Sequence, residues 1–409
     1  VRPLSFRSTQ RASGASTGLF VLLVTVASAS ADTGSTATPT NPWADVTSSP
    51  RAGAISTSID QPIADACGGG IDGSLSTVAS EIVQLLATNG SLPDAQEIEW
   101  RQRKAGSPHV WPRTWGAHVV GAFLDRKSLA VDVKKWLGKS APRARCGVAS
   151  LSTLGVIGKK GVDAVALIAI DPLADLAPLP THVKEGAWID VDATLLGDAT
   201  DGRVVLLPPS GKPKTILAST IDGPPEHVKA KALIGAPGLW VVQILASDLN
   251  GPRPVLEAEV WAGMDPPLSP PSPKVPGEDA GEGIADPADA LFARLNGARS
   301  AESISTLTRD ATLDQVARDH AEAMRAAKLL AHDAGDGDPA TRVAATGTTW
   351  MVLGENVAKA KTDRAANRAL YASPSHRGNM LDPRFKKVGI GVVVDGKTGE
   401  MWVAQLFGA

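Results

Sequence analysis

The chain of 409 residues is poor in cysteine, with only Cys67 and Cys146. That excludes a disulfide-framework fold and any cysteine-rich zinc module. It has no charge excess. Its 41 basic and 43 acidic residues leave a formal net charge of −2, so no nucleic acid and no anionic membrane is expected as a partner. Aromatics make up only 4% of the residues, and Trp outnumbers Tyr ten to one, so cores are expected to be small and anchored by Trp. No Ser/His/Asp or Cys/His set is visible for covalent catalysis. Ser373 and Ser375 flank His376, but chain neighbours rarely have triad geometry and a third member is missing.

Glycine and proline are plentiful, at 40 and 30. Together with the length, they suggest two or three domains joined by exposed segments. Residues 1–31 read as a secretion signal. Arg2, Arg7 and Arg11 precede an apolar run from Gly18 to Ala27, and Ala29-Ser30-Ala31 forms a small-residue cleavage site. That run is too short to span a bilayer comfortably, so no transmembrane segment is expected after signal removal. An exported protein, extracellular or periplasmic, would allow Cys67 and Cys146 to pair. Usage rich in Ala, Gly and Arg is compatible with a GC-rich bacterium.

Residues 32–60 carry few apolar groups and read as a flexible segment. Residues 61–175 read as a mixed α/β domain. Leu75, Val78, Ile82, Leu85 and Leu86 have helical spacing, and Ser91 is a candidate cap for a helix opening near Ala95. Leu129 to Leu137 suggests a helix stopped by Gly138, and Val162 to Ile170 a buried strand. Residues 176–264 contain short alternating strands at 188–195, 202–207, 228–233, 238–245 and 255–261, separated by Gly and Pro. This points to a β-sandwich of immunoglobulin-like size. Residues 265–285 read as an exposed Pro-rich linker, and a new domain starts at Asp286.

That last domain, 286–409, holds the chemistry. Asp286-Pro287 opens a helix, and Leu313, Val316, Ala317, His320 and Met324 mark a second. His320 shares the apolar stripe and reads as a core or rim histidine rather than a ligand. His332 follows the helix in a polar, Gly-rich loop. Then come Gly354-Glu355-Asn356, the run from Ser373 through His376 to Leu381, and Val388-Gly389-Ile390-Gly391. Strands at 387–394 and 401–407 are joined by a tight hairpin at 395–399. Two imidazoles and a carboxylate in turn-like contexts can meet in one cleft.

In their order and spacing, these motifs resemble the CAP superfamily, the cysteine-rich secretory, antigen 5 and pathogenesis-related-1 group, in its short bacterial SCP-like form. The resemblance covers about 286–408. It implies an α-β-α sandwich around a short antiparallel sheet. It further implies that His332 and His376 are cavity histidines able to take zinc or another divalent cation, with Glu355 reaching the metal directly or through water. Two departures stand out. No acid matches the second glutamate of larger members, although Asp333, Asp336 and Asp363 are nearby candidates, and Leu370-Tyr371 stands where many bacterial relatives have Trp. The incomplete set points to a non-enzymatic binding module for a lipid, a cell-envelope component or a protein. The alternative is a metal-dependent peptidase or nuclease with Glu355 as the candidate catalytic group.

A weaker echo lies upstream. Val133 to Ser140, Cys146 to Ala149 and the strand at 162–170 have the rhythm of Leu370 to Phe407 without a cavity histidine. Residues 61–175 are therefore either a degenerate copy of the same fold or an unrelated α/β domain.

Overall fold

The computed structural model of the protein describes residues 43–46, 60–154, 161–221, 226–248, 251–269 and 274–409. The expected export signal and nearly all of the expected flexible segment lie outside the described residues. Among the described residues, no helix is long and apolar enough to cross a membrane.

The first domain contains α1 (Gln61–Ala64), α2 (Gly73–Asn89), α3 (Ala95–Lys104), β1 (Arg113–Val120), α4 (Arg126–Leu137), β2 (Arg145–Ser152) and β3 (Val162–Ile170). The α2 helix starts where Asp72 accepts from Leu75 N and ends at Gly90, whose left-handed conformation suits glycine. Asp94, not Ser91, caps α3, accepting from Glu97 N at 2.9 Å. A cap must directly precede the first helical residue, and Leu92, Pro93 and Asp94 separate Ser91 from it. The antiparallel order is β1-β3-β2, so β3 is central, which explains its continuous apolar run. Its alternate residues face opposite layers. Val165 and Leu167 pack with Val133 and Leu137 of α4, while Ala164 and Ile168 pack with Val78 and Ile82 of α2. Cys67 and Cys146 form a disulfide, tying the segment after α1 to β2.

The second domain comprises β4 (Ala174–Leu176), β5 (His182–Val183), β6 (Ala187–Leu195), β7 (Thr200–Leu207), β8 (Lys214–Ile216), β9 (Ser219–Ile221), β10 (His227–Ile234), β11 (Gly238–Asp248) and β12 (Gly251–Ala262). One sheet runs β4-β6-β10-β9 and the other β5-β12-β11-β7-β8. A single core joins them, with Ile189, Val191 and Val228 of the first sheet clustered with Val204, Ile244 and Val260 of the second. Alternation places Trp188 on the outer face, opposite Leu233, so this Trp anchors no core. The strand β4 moves the boundary of the first domain to before Ala174. Trp43, Trp100 and Trp261 meet edge-on where the two domains join, and Arg103 of α3 pairs with Glu257 of β12 at 3.2 Å.

The third domain contains α5 (Pro287–Ala301), β13 (Thr308–Arg309), α6 (Ala311–Ala327), α7 (Pro339–Ala344), β14 (Leu353–Ala360), α8 (Asp363–Ala372), α9 (Pro374–Met380), β15 (Lys387–Val394) and β16 (Met401–Gly408). Its sheet order is β13-β15-β16-β14. The expected antiparallel sheet is mixed at one edge, because the short β13 runs parallel to β15. Helices cover both faces. Leu291 of α5 and Leu370 of α8 pack with Val388, Ile390 and Val403, whereas Leu313 and Met324 of α6 pack with Trp402, Ala404 and Leu406.

The expected 265–285 linker is not exposed throughout. Val275 and Glu278 are buried against the third domain. Glu278 pairs with Arg368 at 2.6 Å, and this hydrogen bond, outweighing burial, lowers its pKa to about 2. Gly277, at φ +72°, crosses Gly297 of α5 so closely that a Cβ would lie 2.3 Å from its backbone. Composition marked this stretch as polar, but specific partners fold it onto the domain.

Candidate functional site

His332 stands in the loop after α6, which ends with Lys328 in the left-handed conformation. Asp333 ties that loop by accepting from Gly335 N at 2.8 Å and Gly337 N at 3.1 Å. Glu355 lies on β14, opposite Leu406 of the central strand, and is buried. His376 lies in the first turn of α9, a helix opened by Pro374. Two amides dock that short helix on β14. Asn356 donates to His376 O at 3.1 Å, and Asn379 donates to Glu355 O at 3.1 Å and to Asn356 Oδ1 at 2.9 Å. Asn356 also donates to Gln405 Oε1 of β16 at 3.1 Å. Both Asn356 and Gln405 are fully buried, so each must find a partner inside.

The fold brings His332 and Glu355 into contact and leaves His376 within electrostatic range of His332. His332 Nδ1 lies 2.8 Å from Glu355 Oε1. His376 sits close enough to His332 to feel its charge. Burial first, and then that charge, lower the His376 pKa to about 4, so its imidazole is neutral at physiological pH. The other Glu355 oxygen accepts from Arg342 of α7, which also donates to His332 O at 2.8 Å. A buried carboxylate thus has a buried guanidinium beside it and an imidazole at its other oxygen.

His320 is fully buried, as its place in the apolar stripe predicts. It is nevertheless tied to the residues around Glu355. Its Nδ1 lies 2.8 Å from Asp336 and its Nε2 lies 3.0 Å from Ala331 O, with Glu355 at 3.8 Å. Burial raises the Asp336 pKa, but hydrogen bonds from His320 and Ala334 N, together with the Arg342 charge, carry it below its ordinary value. Of the three aspartates that stood in for a second acid, Asp336 joins the group through His320 and, at 3.7 Å, Arg342. Asp333 is spent on its loop, and Asp363 pairs with Arg294 at 2.9 Å on α5.

Residues 292–407 match the family described as the cysteine-rich secretory protein family, CAP. This stretch is a CAP domain. A curated relative, the uncharacterized protein YkwD of Bacillus subtilis (strain 168), is 30% identical over 115 residues. That match covers 28% of this chain and 44% of the relative, so the chain spans less than half the length of the relative it matches. Among solved structures, similarity extends to an outer surface protein of Borrelia burgdorferi (19% identity, TM-score 0.29, 30% of this chain and 92% of that one). An extracellular SCP-domain protein of Bacillus anthracis matches at 15% identity and TM-score 0.28, over 58% of this chain and 85% of its own. A cysteine-rich secretory protein of Staphylococcus aureus matches at 12% identity and TM-score 0.25, over 57% and 83%.

The Glu355 geometry bears on the expected metal. Glu355 has one oxygen facing His332 Nδ1 and the other facing Arg342, so the carboxylate orients an imidazole here. Among the described residues, no group of three or more His, Cys, Asp or Glu is arranged to hold a metal ion. The donors left are His332 Nε2 and His376, two imidazoles without a third protein ligand. This does not fit a three-ligand set that includes Glu355. Arg342 and the Asn356–Asn379–Gln405 network escaped the reading of the sequence. Asn356 and Asn379 stood inside quoted motifs, but a motif does not say what its amides bond. Arg342, three residues beyond Pro339, carried no spacing signal at all.

Proposed function

We propose that this is an exported protein whose CAP domain is a non-enzymatic binding module, with a cavity bounded by His332, His376 and Glu355 reading a lipid, cell-envelope or protein ligand. The observation that carries this reading is the Glu355 carboxylate held between Arg342 and His332. A general base needs a free oxygen beside its substrate, and both oxygens here face donors already. That arrangement instead presents His332 Nε2 and a neutral His376 as fixed hydrogen-bonding groups. His332, with a side chain 55% exposed, is within reach of a ligand.

Zinc binding through the two imidazoles is a second reading, with water completing the coordination. The full chain, wild type and His376→Ala, would be titrated with zinc by calorimetry and assayed on peptide and nucleic-acid substrates. The module reading expects no turnover with or without zinc. Zinc-dependent turnover abolished by the substitution would replace it with the hydrolase.

The two-sheet domain fits an immunoglobulin-like spacer. The first domain fits a degenerate CAP copy with a structural role, because its strand order β1-β3-β2 repeats β14-β16-β15. Gly147 and Gly389 support the parallel. A Cβ on either would lie 2.0 Å from the backbone of the third residue of the facing helix, Leu75 or Leu313.

A further inference from the structure

The turn after β7, residues 208–213, leaves the two-sheet domain and seats on the corner between α8 and α9. Arg377, the residue after His376, is buried there. Its Nε donates to Tyr371 O at 2.6 Å and its Nη1 to Pro208 O at 3.0 Å, with Gly211 O at 3.5 Å. The guanidinium lies 4.0 Å over the Tyr371 ring. Glu302, just past α5, accepts from Tyr371 Oη at 2.8 Å and from Gly211 N at 2.9 Å. Pro213 lies against Gly378, within 3.8 Å of where its Cβ would stand. One domain therefore supplies two carbonyls and an amide, and the other a buried cation, a carboxylate and a ring.

The contact matters because of where it falls. The α9 helix has only 7 residues, too few to be stable alone. Asn356 and Asn379 hold it from the sheet side. Arg377 ties its opposite side to Pro208. A buried guanidinium is costly to leave unpaired, so removing the turn would oblige Arg377 to seek water and would disturb the helix that carries it.

We propose that the 208–213 turn clasps α9 through Arg377 and Glu302 and so positions His376 from outside the CAP domain. Arg377 and Glu302 are positioning residues, and the two-sheet domain braces the helix that carries His376. The functional meaning of the clasp rests on the binding reading above; its mechanical content does not.

Hydrogen–deuterium exchange of the full chain tests it. The first variant replaces residues 208–212 with Asn-Gly, a two-residue hairpin loop that suits the β7–β8 register and leaves every CAP residue intact. Amides over 371–381 are expected to exchange about tenfold faster or more, while α6 and β3 keep their protection. Unchanged protection of 371–381 once the turn is gone would overturn the proposal. If the shortened turn impairs folding of the two-sheet domain, Glu302→Ala in the intact chain reads the same peptides. Release of 208–213 and 371–381 together supports the clasp, and release of 208–213 alone rejects it. Failure of the wild type to bind any ligand would sink the module reading without altering these exchange rates.

Discussion

The two α/β domains of this chain share a wiring and differ in what fills it. With Gly147 of β2 set against Gly389 of β15, the registers align. Gly147 faces Ile168 and Gly389 faces Leu406 on the central strands. Asp72 and Asp310 cap the facing helices and bond back to the strand, their backbone N–H groups donating to Cys146 O at 2.8 Å and to Val388 O at 3.1 Å. On that alignment Thr114 takes the place of Glu355, Trp115 that of Asn356 and Leu167 that of Gln405. The loop that carries His332 shrinks to the few residues between α2 and α3, and a single turn at Gly138–Ser140 stands where α9 carries His376. One domain has spent its interior on a polar network and the other on apolar packing and a disulfide. If the first domain is the degenerate copy proposed above, the frame tolerates either filling, and a site can be present or absent on one fold.

The sharpest way to break this comparison is to remove a charge. Arg342→Ala leaves Glu355 buried without its cation and is expected to cost roughly 3–5 kcal/mol in urea unfolding. Thr114→Ala, at the matching place, should cost less than about 1 kcal/mol. Equal losses would mean that the polar filling is no more demanding than the apolar one. The reverse asymmetry is expected for Cys67→Ser with Cys146→Ser. That pair should destabilise the first domain by about 2–4 kcal/mol and leave the CAP transition in place, as followed by calorimetry.

The shared frame is tested by Gly147→Ala and Gly389→Ala. Both should lower the melting temperature of their own domain by similar amounts, at a cost of roughly 1–3 kcal/mol, because each added methyl meets helix backbone. A harmless change at either would argue against equivalent frames. The smallest effect is the pH dependence of the cavity. His376 binds its proton near pH 4 in the folded protein, below its ordinary 6.5. Its contribution to stability is therefore complete above pH 6.5 and is lost as pH falls toward 4, because the unfolded chain takes up the proton first. The stability gap between wild type and His376→Gln should shrink by about 1–2 kcal/mol over that window, a range discounted for partial exposure. Urea melts at pH 7 and pH 4 measure it, and a constant gap would place His376 in ordinary solvent.

Much of this was legible along the chain. Period-two alternation marked β6 and β10, and 3.6-residue spacing marked α2 and α6, because burial on one face leaves a periodic trace. His332, Glu355 and His376 stood out because they stand in short, ordered motifs, and His332 Nδ1 does lie against Glu355. Arg342 was not legible, since an ion pair to a residue on another element leaves no local pattern. Nor was the folding of Val275 to Gly281 onto α5, where polar composition resembled a linker until Glu278 met Arg368.

The sequence by itself determined the CAP resemblance of the last domain and the longer periodic elements, because local spacing and caps act over a few residues. Only the tertiary structure decided which oxygen of Glu355 serves which donor, that Cys67 meets Cys146, and that a turn from the second domain seats beside His376. Those outcomes depend on groups far apart in the chain, whose meeting is settled by packing and by the need of every buried polar group for a partner.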